Sequence, residues 1–229
     1  MPQIFHRSFN TIARASIVGV VLLIAAIGFI SWRVNRSAYI TYVKEPLPQP
    51  VPFSHRHHTV TDGIDCRYCH TTVETSWYAG MPSTHTCMTC HSQLWVHSPM
   101  LAPVRASYRE DKPIEWTRVN TLPDFVYFNH AIHIHKGIGC TTCHGQIGKM
   151  AITYRAHTLY MRWCLSCHNH PARYVRPRAQ VFDPIYHRPS EKHPLVYEGV
   201  VYTRQMPLGR LLVKKYRIQS LISCDTCHR

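Results

Sequence analysis

Every cysteine in this 229-residue chain belongs to one of five copies of the pattern C-x-x-C-H. Two cysteines at this spacing, followed at once by a histidine, form the attachment motif of c-type haem. The two thiols can bond to the vinyl groups of one porphyrin, and the histidine then lies beneath the ring as the proximal iron ligand. The sequence therefore predicts five covalently bound haem c groups. The predicted thioether cysteines are Cys66, Cys69, Cys87, Cys90, Cys140, Cys143, Cys164, Cys167, Cys224 and Cys227, and the predicted proximal ligands are His70, His91, His144, His168 and His228.

Other uses of paired cysteines fit this pattern less well. A structural zinc site groups four ligands from two half-sites and does not require a histidine directly after every second cysteine. A thioredoxin-like redox pair occurs once, beside a βαβ pattern, and a disulfide framework does not impose one spacing five times.

Length and composition indicate the fold class. Outside the apolar N-terminal run, each predicted haem has only about forty residues of chain, so the porphyrins must supply much of the core. Apolar residues make up 45% of the chain but are scattered among Pro, Tyr and His. We expect a single N-terminal transmembrane helix followed by a multihaem cytochrome c domain, with mostly short helices and loops packed around haems and little β-structure.

The chain is basic, with 26 Lys and Arg against 12 Asp and Glu, a formal net charge of +14. Five haems would add about ten propionates and bring this to roughly +4. The basic side chains are therefore expected to pair with propionates, and nucleic acid is not a predicted partner.

The N-terminal segment predicts a membrane anchor. Eighteen uncharged residues run from Ala15 to Trp32, between Arg14 and Arg33, which is just enough to span a bilayer. No small-residue cleavage site follows, so the anchor is expected to stay attached. Bacteria attach haem to this motif outside the cytoplasmic membrane. We therefore predict a single-pass protein of the bacterial cytoplasmic (inner) membrane, with a cytoplasmic N-terminus (1–14), an anchor (15–34), a stiff Pro-rich spacer (35–52) and a periplasmic haem domain.

An internal repeat divides the haem domain. The pattern F-[S/N]-H-x-x-H occurs at residues 53–58, before the first two haem motifs, and at residues 128–133, before the next two. The first cysteine comes eight positions after the last histidine of the first repeat and seven positions after that of the second, and the motifs in each pair begin 21 and 24 residues apart. The sequence thus predicts a first dihaem module (53–120), a second (121–171) and an extension carrying the fifth haem (172–229).

The same repeat supplies most of the distal iron ligands. Five six-coordinate irons need ten axial ligands, of which the motifs provide five. Histidines at positions i and i+3 cannot both reach one iron face, so each pair is expected to serve two haems. The predicted distal ligands are His55, His58, His130 and His133.

The tenth ligand is expected to be Met150 or Met161, and the sequence does not decide between them. Methionine is a candidate because a thioether is a common sixth ligand in c-type cytochromes. Packing against a porphyrin is the alternative for either methionine. His57, His85, His135, His157 and Met206 are further candidates.

The F-x-H-x-x-H segments resemble those of small multihaem cytochromes of the c3 and c7 type. A wider resemblance rests on residues 66–74, Ala79-Gly80-Met81-Pro82, residues 86–92, 122–130, 136–140, 161–165 and 223–229. In these pieces the chain resembles the ActA family, the membrane-anchored pentahaem cytochrome c subunits of alternative complex III. Asn169-His170-Pro171 departs from that family, in which a basic residue and then proline usually follow the fourth motif.

The resemblance implies an electron-transfer subunit of a quinol:electron acceptor oxidoreductase, without catalytic residues of its own. Its implied partners are an iron-sulfur subunit that donates electrons, polytopic quinol-oxidising membrane subunits, and a monohaem cytochrome subunit. The implied final acceptor is a monohaem cytochrome c, a blue-copper protein or a terminal oxidase. Doubly ligated irons favour electron exchange over substrate chemistry, in agreement with this role.

Two other functions are considered. A quinol dehydrogenase of the NapC and NrfH type would take electrons from quinol through the haem protein itself. A multihaem reductase would need an iron with an open coordination position, which the near-complete ligand set disfavours.

The extension contains a hairpin-like segment at residues 195–202 and is expected to lie across a partner subunit, because so long a connection seldom stays free.

Overall fold

The structure is a computed structural model that describes residues 4–228. It divides into two compact units, Met1–Val43 and Lys44–Arg229. Residues 1–3 of the predicted N-terminal segment and residue 229 of the predicted extension lie outside the described residues.

The first unit is dominated by the 27-residue helix α1, Ser8–Val34, followed by the short helix α2, Ala38–Thr41. Helix α1 is long and apolar enough to cross a membrane, and its side chains are exposed. It begins ahead of the predicted span at residue 15. The predicted single N-terminal transmembrane helix is therefore confirmed.

The second unit consists of short helices joined by loops, as predicted. Each C-x-x-C-H motif lies on or ends a separate helix, because one helical turn is all that two cysteines three residues apart require. The helices that carry motifs are α3 (Cys66–Cys69), α4 (Thr84–His91), α7 (Cys140–His144), α8 (Met161–Asn169) and α10 (Cys224–Cys227). The other α-helices are α5 (Ala102–Glu110), α6 (His130–His135) and α9 (Gln205–Lys215). A π-helical turn spans Arg56–Thr61, and 3₁₀ turns span Pro99–Leu101, Ile147–Lys149, Pro171–Arg173 and Arg178–Gln180.

The β-strands of the described residues form one hairpin, and an isolated antiparallel bridge joins Pro46 to Tyr154. Strand β1, Leu195–Tyr197, pairs antiparallel with β2, Val200–Tyr202, with Leu195 opposite Tyr202. Glu198 and Gly199 form the two-residue turn, and both have positive φ, the backbone conformation that suits the twist of a tight hairpin. The hairpin predicted within residues 195–202 is confirmed.

The largest apolar cluster is built mainly by the C-terminal extension. Leu208 and Leu212 of α9 are completely buried, and they pack with Val175 and residues of the second module. The cluster comprises Ile138, Val175, Tyr186, Leu195, Leu208, Leu212 and Tyr216, with Cys143 and Cys167 packed against it. The extension therefore folds back onto the third and fourth motifs of its own chain.

Part of the predicted spacer packs on the haem domain. The Lys44 amide donates to the Arg155 carbonyl at 2.8 Å, and the Gln49 side chain makes two hydrogen bonds with the backbone of Thr117. Val51 is buried in a cluster that includes Leu101 of the first module. Residues 44–52 are thus fixed along the domain surface.

Candidate haem sites

The two F-x-H-x-x-H segments adopt the same local geometry. Phe53 packs edge-on against His55 at 4.9 Å between ring centroids and stacks on His58 at 4.4 Å. In the second repeat Phe128 does the same with His130 at 4.8 Å and with His133 at 4.4 Å. Each phenylalanine therefore holds its two histidine rings in fixed and different directions.

The second histidine of each segment faces the histidine of the second motif in its module. The ring centroids of His58 and His91 are 6.3 Å apart, and those of His133 and His168 are 6.1 Å apart. Because an imidazole nitrogen binds a metal at about 2 Å, two imidazoles on opposite faces of one ion have ring centres about 6 Å apart. Both pairs therefore have the separation that an iron ligated on two faces requires.

All nine histidines predicted as ligands form a hydrogen bond through Nδ1. In seven of them the partner is a backbone carbonyl, at 2.7 to 3.2 Å: these are His58 with Ser54, His70 with Gly80, His91 with Leu94, His130 with Trp77, His133 with Asn129, His168 with Leu221, and His228 with Phe125. In the other two the partner is a side chain, that of Thr153 for His55 and that of Asn120 for His144. In the seven rings that face a carbonyl the proton lies on Nδ1, which leaves Nε2 as the metal-binding nitrogen.

Two of the alternative candidates use the opposite nitrogen. His57 Nε2 lies 3.5 Å from the Asp62 carboxylate, and His135 Nε2 bonds to the Glu74 carbonyl at 2.9 Å. A third, His157, stacks on Trp163 with ring centroids 5.3 Å apart. The ring nitrogens of His57 and His135 are therefore not arranged like those of the nine.

The first histidines of both segments gather with the first motifs of both modules. Burial lowers the pKa of His55 to about 4, and the nearby His70 adds more than His144 or His58. Burial likewise lowers the pKa of His144 to about 4, with His130 as the largest charged neighbour. These rings are neutral at physiological pH, which is the form that binds metal.

The two candidate methionines lie in different surroundings. Met150 is buried, and its methyl group packs beside Gly145, directly after the third motif. Met161 is 57% exposed and opens helix α8, one turn before Cys164. Burial and, to a smaller extent, the nearby thiol of Cys227 raise the pKa of Cys164, so the start of α8 lies near the fifth motif.

Contacts between motifs connect them in a row. Tyr68 of the first motif bonds to Thr89 of the second through their hydroxyls at 2.8 Å. The first and third motifs share one stretch of chain, because the Cys66 thiol contacts the Phe182 carbonyl at 3.6 Å and the Cys140 amide donates to the Val181 carbonyl at 3.2 Å.

The row continues through the second module. The third and fourth motifs pack, through Cys143 and Cys167, against the same apolar cluster. The fourth motif contacts the chain that enters the fifth, since Ser220 donates to the His168 carbonyl at 2.6 Å and Leu221 accepts from the His168 ring. The spatial order of the motifs is second, first, third, fourth, fifth.

The cysteines do not form zinc-type clusters. In residues 4–228 no three side chains among His, Cys, Asp and Glu are grouped to hold a metal ion. Burial raises the pKa of Cys143 to about 12 and that of Cys167 to about 11, so these thiols are not in the surroundings that favour thiolate ligands. The ring separations and the common Nδ1 bonding fit haem iron instead.

Sequence reasoning missed Asn120 and Thr153 as residues of the site. Thr153 is 98 positions from His55 in the chain, and Asn120 is 24 positions from His144. Neither residue belongs to a motif or a periodic pattern, so no local signal could have identified it.

Comparison with known proteins gives one informative relative. No family model matches the chain. Over 97 residues the chain is 38% identical to the multiheme cytochrome c subunit of menaquinone reductase from Nitratidesulfovibrio vulgaris, and the match covers 42% of this chain and 45% of that protein. The chain thus matches less than half of the relative's length.

Fold, motifs and this match together are those of a multihaem cytochrome c of electron transport, with one N-terminal helix that is long and apolar enough to cross a membrane. Within that class the similarity is to the multiheme cytochrome c subunit of a menaquinone reductase.

Proposed function

We propose that this protein is the electron-transfer subunit of a membrane quinol:electron acceptor oxidoreductase and is not an enzyme by itself. The observation that carries the proposal is the common arrangement of nine histidines, each bonded through Nδ1 and free to ligate through Nε2. Irons held on both faces by protein side chains leave no position for a substrate.

The ligand assignment follows the repeat. We assign His55 with His70, His58 with His91, His130 with His144, and His133 with His168. The separations of His58 from His91 and of His133 from His168 support two of these pairs directly. The other four rings, His55, His70, His130 and His144, lie near one another, and the order of the repeat is the basis for pairing them within each module.

We assign the fifth iron to His228 and Met161, and Met161 would complete the set of ten axial ligands. Met161 precedes Cys164 by one helical turn and therefore lies on the side of α8 that is near Cys227. Met150 packs against the third motif, whose iron already has two assigned histidines, so we assign Met150 a packing role.

Five haem c groups would supply reversible one-electron iron couples. The protein's contribution is to hold each ring by two thioethers, to fix each ligand's orientation, and to set the order of the centres. With the motif order described above, electrons would pass along the second, first, third, fourth and fifth centres. The second and fifth centres would then be the two ends at which partners exchange electrons.

The assembly is proposed from the resemblance to the ActA family and from the relative's role as a cytochrome subunit of menaquinone reductase. We propose an iron-sulfur subunit as direct donor, polytopic membrane subunits as the quinol site, and a monohaem cytochrome, blue-copper protein or oxidase as acceptor. The haem domain would lie on the periplasmic side of the bacterial inner membrane. The extension is proposed to contact a partner through its exposed surface.

The test is quinol addition to the isolated subunit and to the complex purified from native membranes. The proposal predicts haem reduction in the complex and none in the isolated subunit. Rapid reduction of the isolated subunit would contradict it and favour the NapC and NrfH type of quinol dehydrogenase. A haem spectrum altered by carbon monoxide or nitrite would instead indicate an open iron and a reductase.

A further inference from the structure

Two of the nine oriented histidines differ from the rest in how they are held. His55 and His144 bond to side chains, while the other seven bond to backbone carbonyls. Both belong to the first and third sites, which are neighbours within the row of motifs. Every residue has a backbone carbonyl, so a bond to a carbonyl does not depend on which residue stands there. A bond to a side chain requires a particular residue at that position.

Thr153 reaches His55 from the other module. Its Oγ1 lies 2.7 Å from His55 Nδ1, and it stands between the third and fourth motifs. The neighbouring backbone is fixed as well, because the Arg56 amide donates to the Met150 carbonyl at 3.1 Å. With Nε2 directed to a metal, Nδ1 carries the proton and donates it to the threonine hydroxyl.

Asn120 stands in the same relation to His144. Its side-chain nitrogen lies 3.1 Å from His144 Nδ1, while its Oδ1 is buried with no hydrogen-bond partner in the described part of the chain. Two donors cannot bond to each other, and amide oxygen and nitrogen are assigned by their hydrogen bonds. A half-turn of the amide places Oδ1 where it accepts the proton from His144 Nδ1.

We propose that Thr153 and Asn120 are positioning residues that set the reduction potentials of the first and third haem centres, by accepting the Nδ1 proton of one axial histidine at each. The inference rests on the proposed function, since it requires iron at both sites. An acceptor at Nδ1 makes the imidazole a stronger electron donor and stabilises oxidised iron. Losing the acceptor should therefore raise the potential, and a stronger acceptor should lower it.

The experiment is a redox titration of the full-length protein in its complex, followed by optical and paramagnetic resonance spectra. Thr153→Val should raise the midpoint of one centre, so that its ratio of reduced to oxidised haem at fixed potential rises by about tenfold, or about 59 mV for one electron. Thr153→Ser keeps the hydroxyl and should keep the midpoint. Thr59→Val is the matched control, because that hydroxyl bonds to the His55 backbone carbonyl and not to its ring.

Substitutions of Asn120 test the direction in which the hydrogen bond shifts the reduction potential. Asn120→Leu should raise the midpoint of one centre, and Asn120→Asp, a stronger acceptor of similar size, should lower the same one. A purely structural role would not give opposite shifts. Midpoints in Thr153→Val and Asn120→Leu that equal those of the parent, with all haems bound, would overturn the inference. A parent protein without bound haem would instead overturn the proposed function.

Discussion

At the scale of single residues, the choice of ring nitrogen separates the predicted iron ligands from two neighbouring histidines, His57 and His135. The nine predicted ligands bond through Nδ1, whereas His57 and His135 interact through Nε2. The F-x-H-x-x-H pattern could be recognised from the sequence because it is short and repeated. Several of the ring partners could not, since the carbonyls of Trp77, Leu221 and Phe125 lie more than 50 positions from the histidines that they contact.

Met161 provides a direct test of the tenth ligand. Met161→Ala should leave the fifth iron without its sixth ligand and convert one haem in five to a high-spin spectrum, with loss of the thioether-to-iron absorption band. Met150→Ala is the control: it should keep all irons low-spin but lower the free energy of unfolding by about 2–5 kcal/mol, because a buried side chain is removed. A high-spin haem in Met150→Ala alone would reverse the assignment.

A substitution at Asp65 tests the N-cap of α3, the helix that carries the first motif. Its carboxylate accepts from the Arg67 amide at 2.8 Å as the N-cap of α3. Asp65→Ala should reduce stability by about 1 kcal/mol, whereas Ser83→Ala, at an N-cap without such a bond, should cost less. Chemical denaturation measures both.

The same cap gives a pH dependence. The hydrogen bond from Arg67 lowers the pKa of Asp65 below its ordinary value. The stability that the ionised Asp65 carboxylate contributes should therefore be complete at a pH above the ordinary carboxyl pKa, and it should be lost as the pH falls through the lowered pKa. A stability difference between Asp65→Ala and the parent that persists unchanged in strong acid would contradict this.

At the scale of elements, the sequence predicted the motif helices and the hairpin but not the role of α9. A cysteine pair three residues apart implies one helical turn, and two short runs of β-branched and aromatic residues on either side of Glu198-Gly199 imply a hairpin. Helix α9 lies in a region whose sequence does not indicate what its apolar residues pack against. Its core position depends on contacts with Val175 and the second module, which only folding brings together.

Gly209 tests that packing. A Cβ at this position would lie 1.8 Å from the Ala172 carbonyl oxygen, so α9 contacts the turn Pro171–Arg173 with no space for a side chain. Gly209→Ala should destabilise the protein by about 1–3 kcal/mol or more through overpacking, even though alanine favours helices. Thermal unfolding of Arg210→Ala, at the adjacent exposed position, should stay near the parent; a stable Gly209→Ala protein would refute the close packing.

At the scale of the whole molecule, the two modules meet through their first motifs, and the second motif of each module contacts the first motif or its cluster on the other side. The fifth motif then extends the row beyond the fourth. This order differs from the order in sequence, and it could not be predicted because it depends on tertiary contacts such as the one that Cys66 and Cys140 make with residues 181–182. The number of centres and their attachment residues, in contrast, follow from the motifs alone.

The order of the motifs predicts that removing a haem at the end of the row and removing one from its middle affect electron exchange differently. Replacing Cys224 and Cys227 by alanine should remove one end and leave four haems that still exchange electrons rapidly among themselves. Replacing Cys140 and Cys143 should divide the remaining haems into two groups that exchange slowly. Kinetics after a rapid one-electron pulse would measure both, and slow exchange in the first variant would contradict the order.

The central claim is that porphyrin irons, held between protein side chains, form the body of the domain outside the membrane helix. Intact mass spectrometry of the protein from its native membrane tests this most directly. The account predicts one polypeptide carrying five covalent haems. A smaller number, or a polypeptide with free thiols at any of the five motifs, would contradict it.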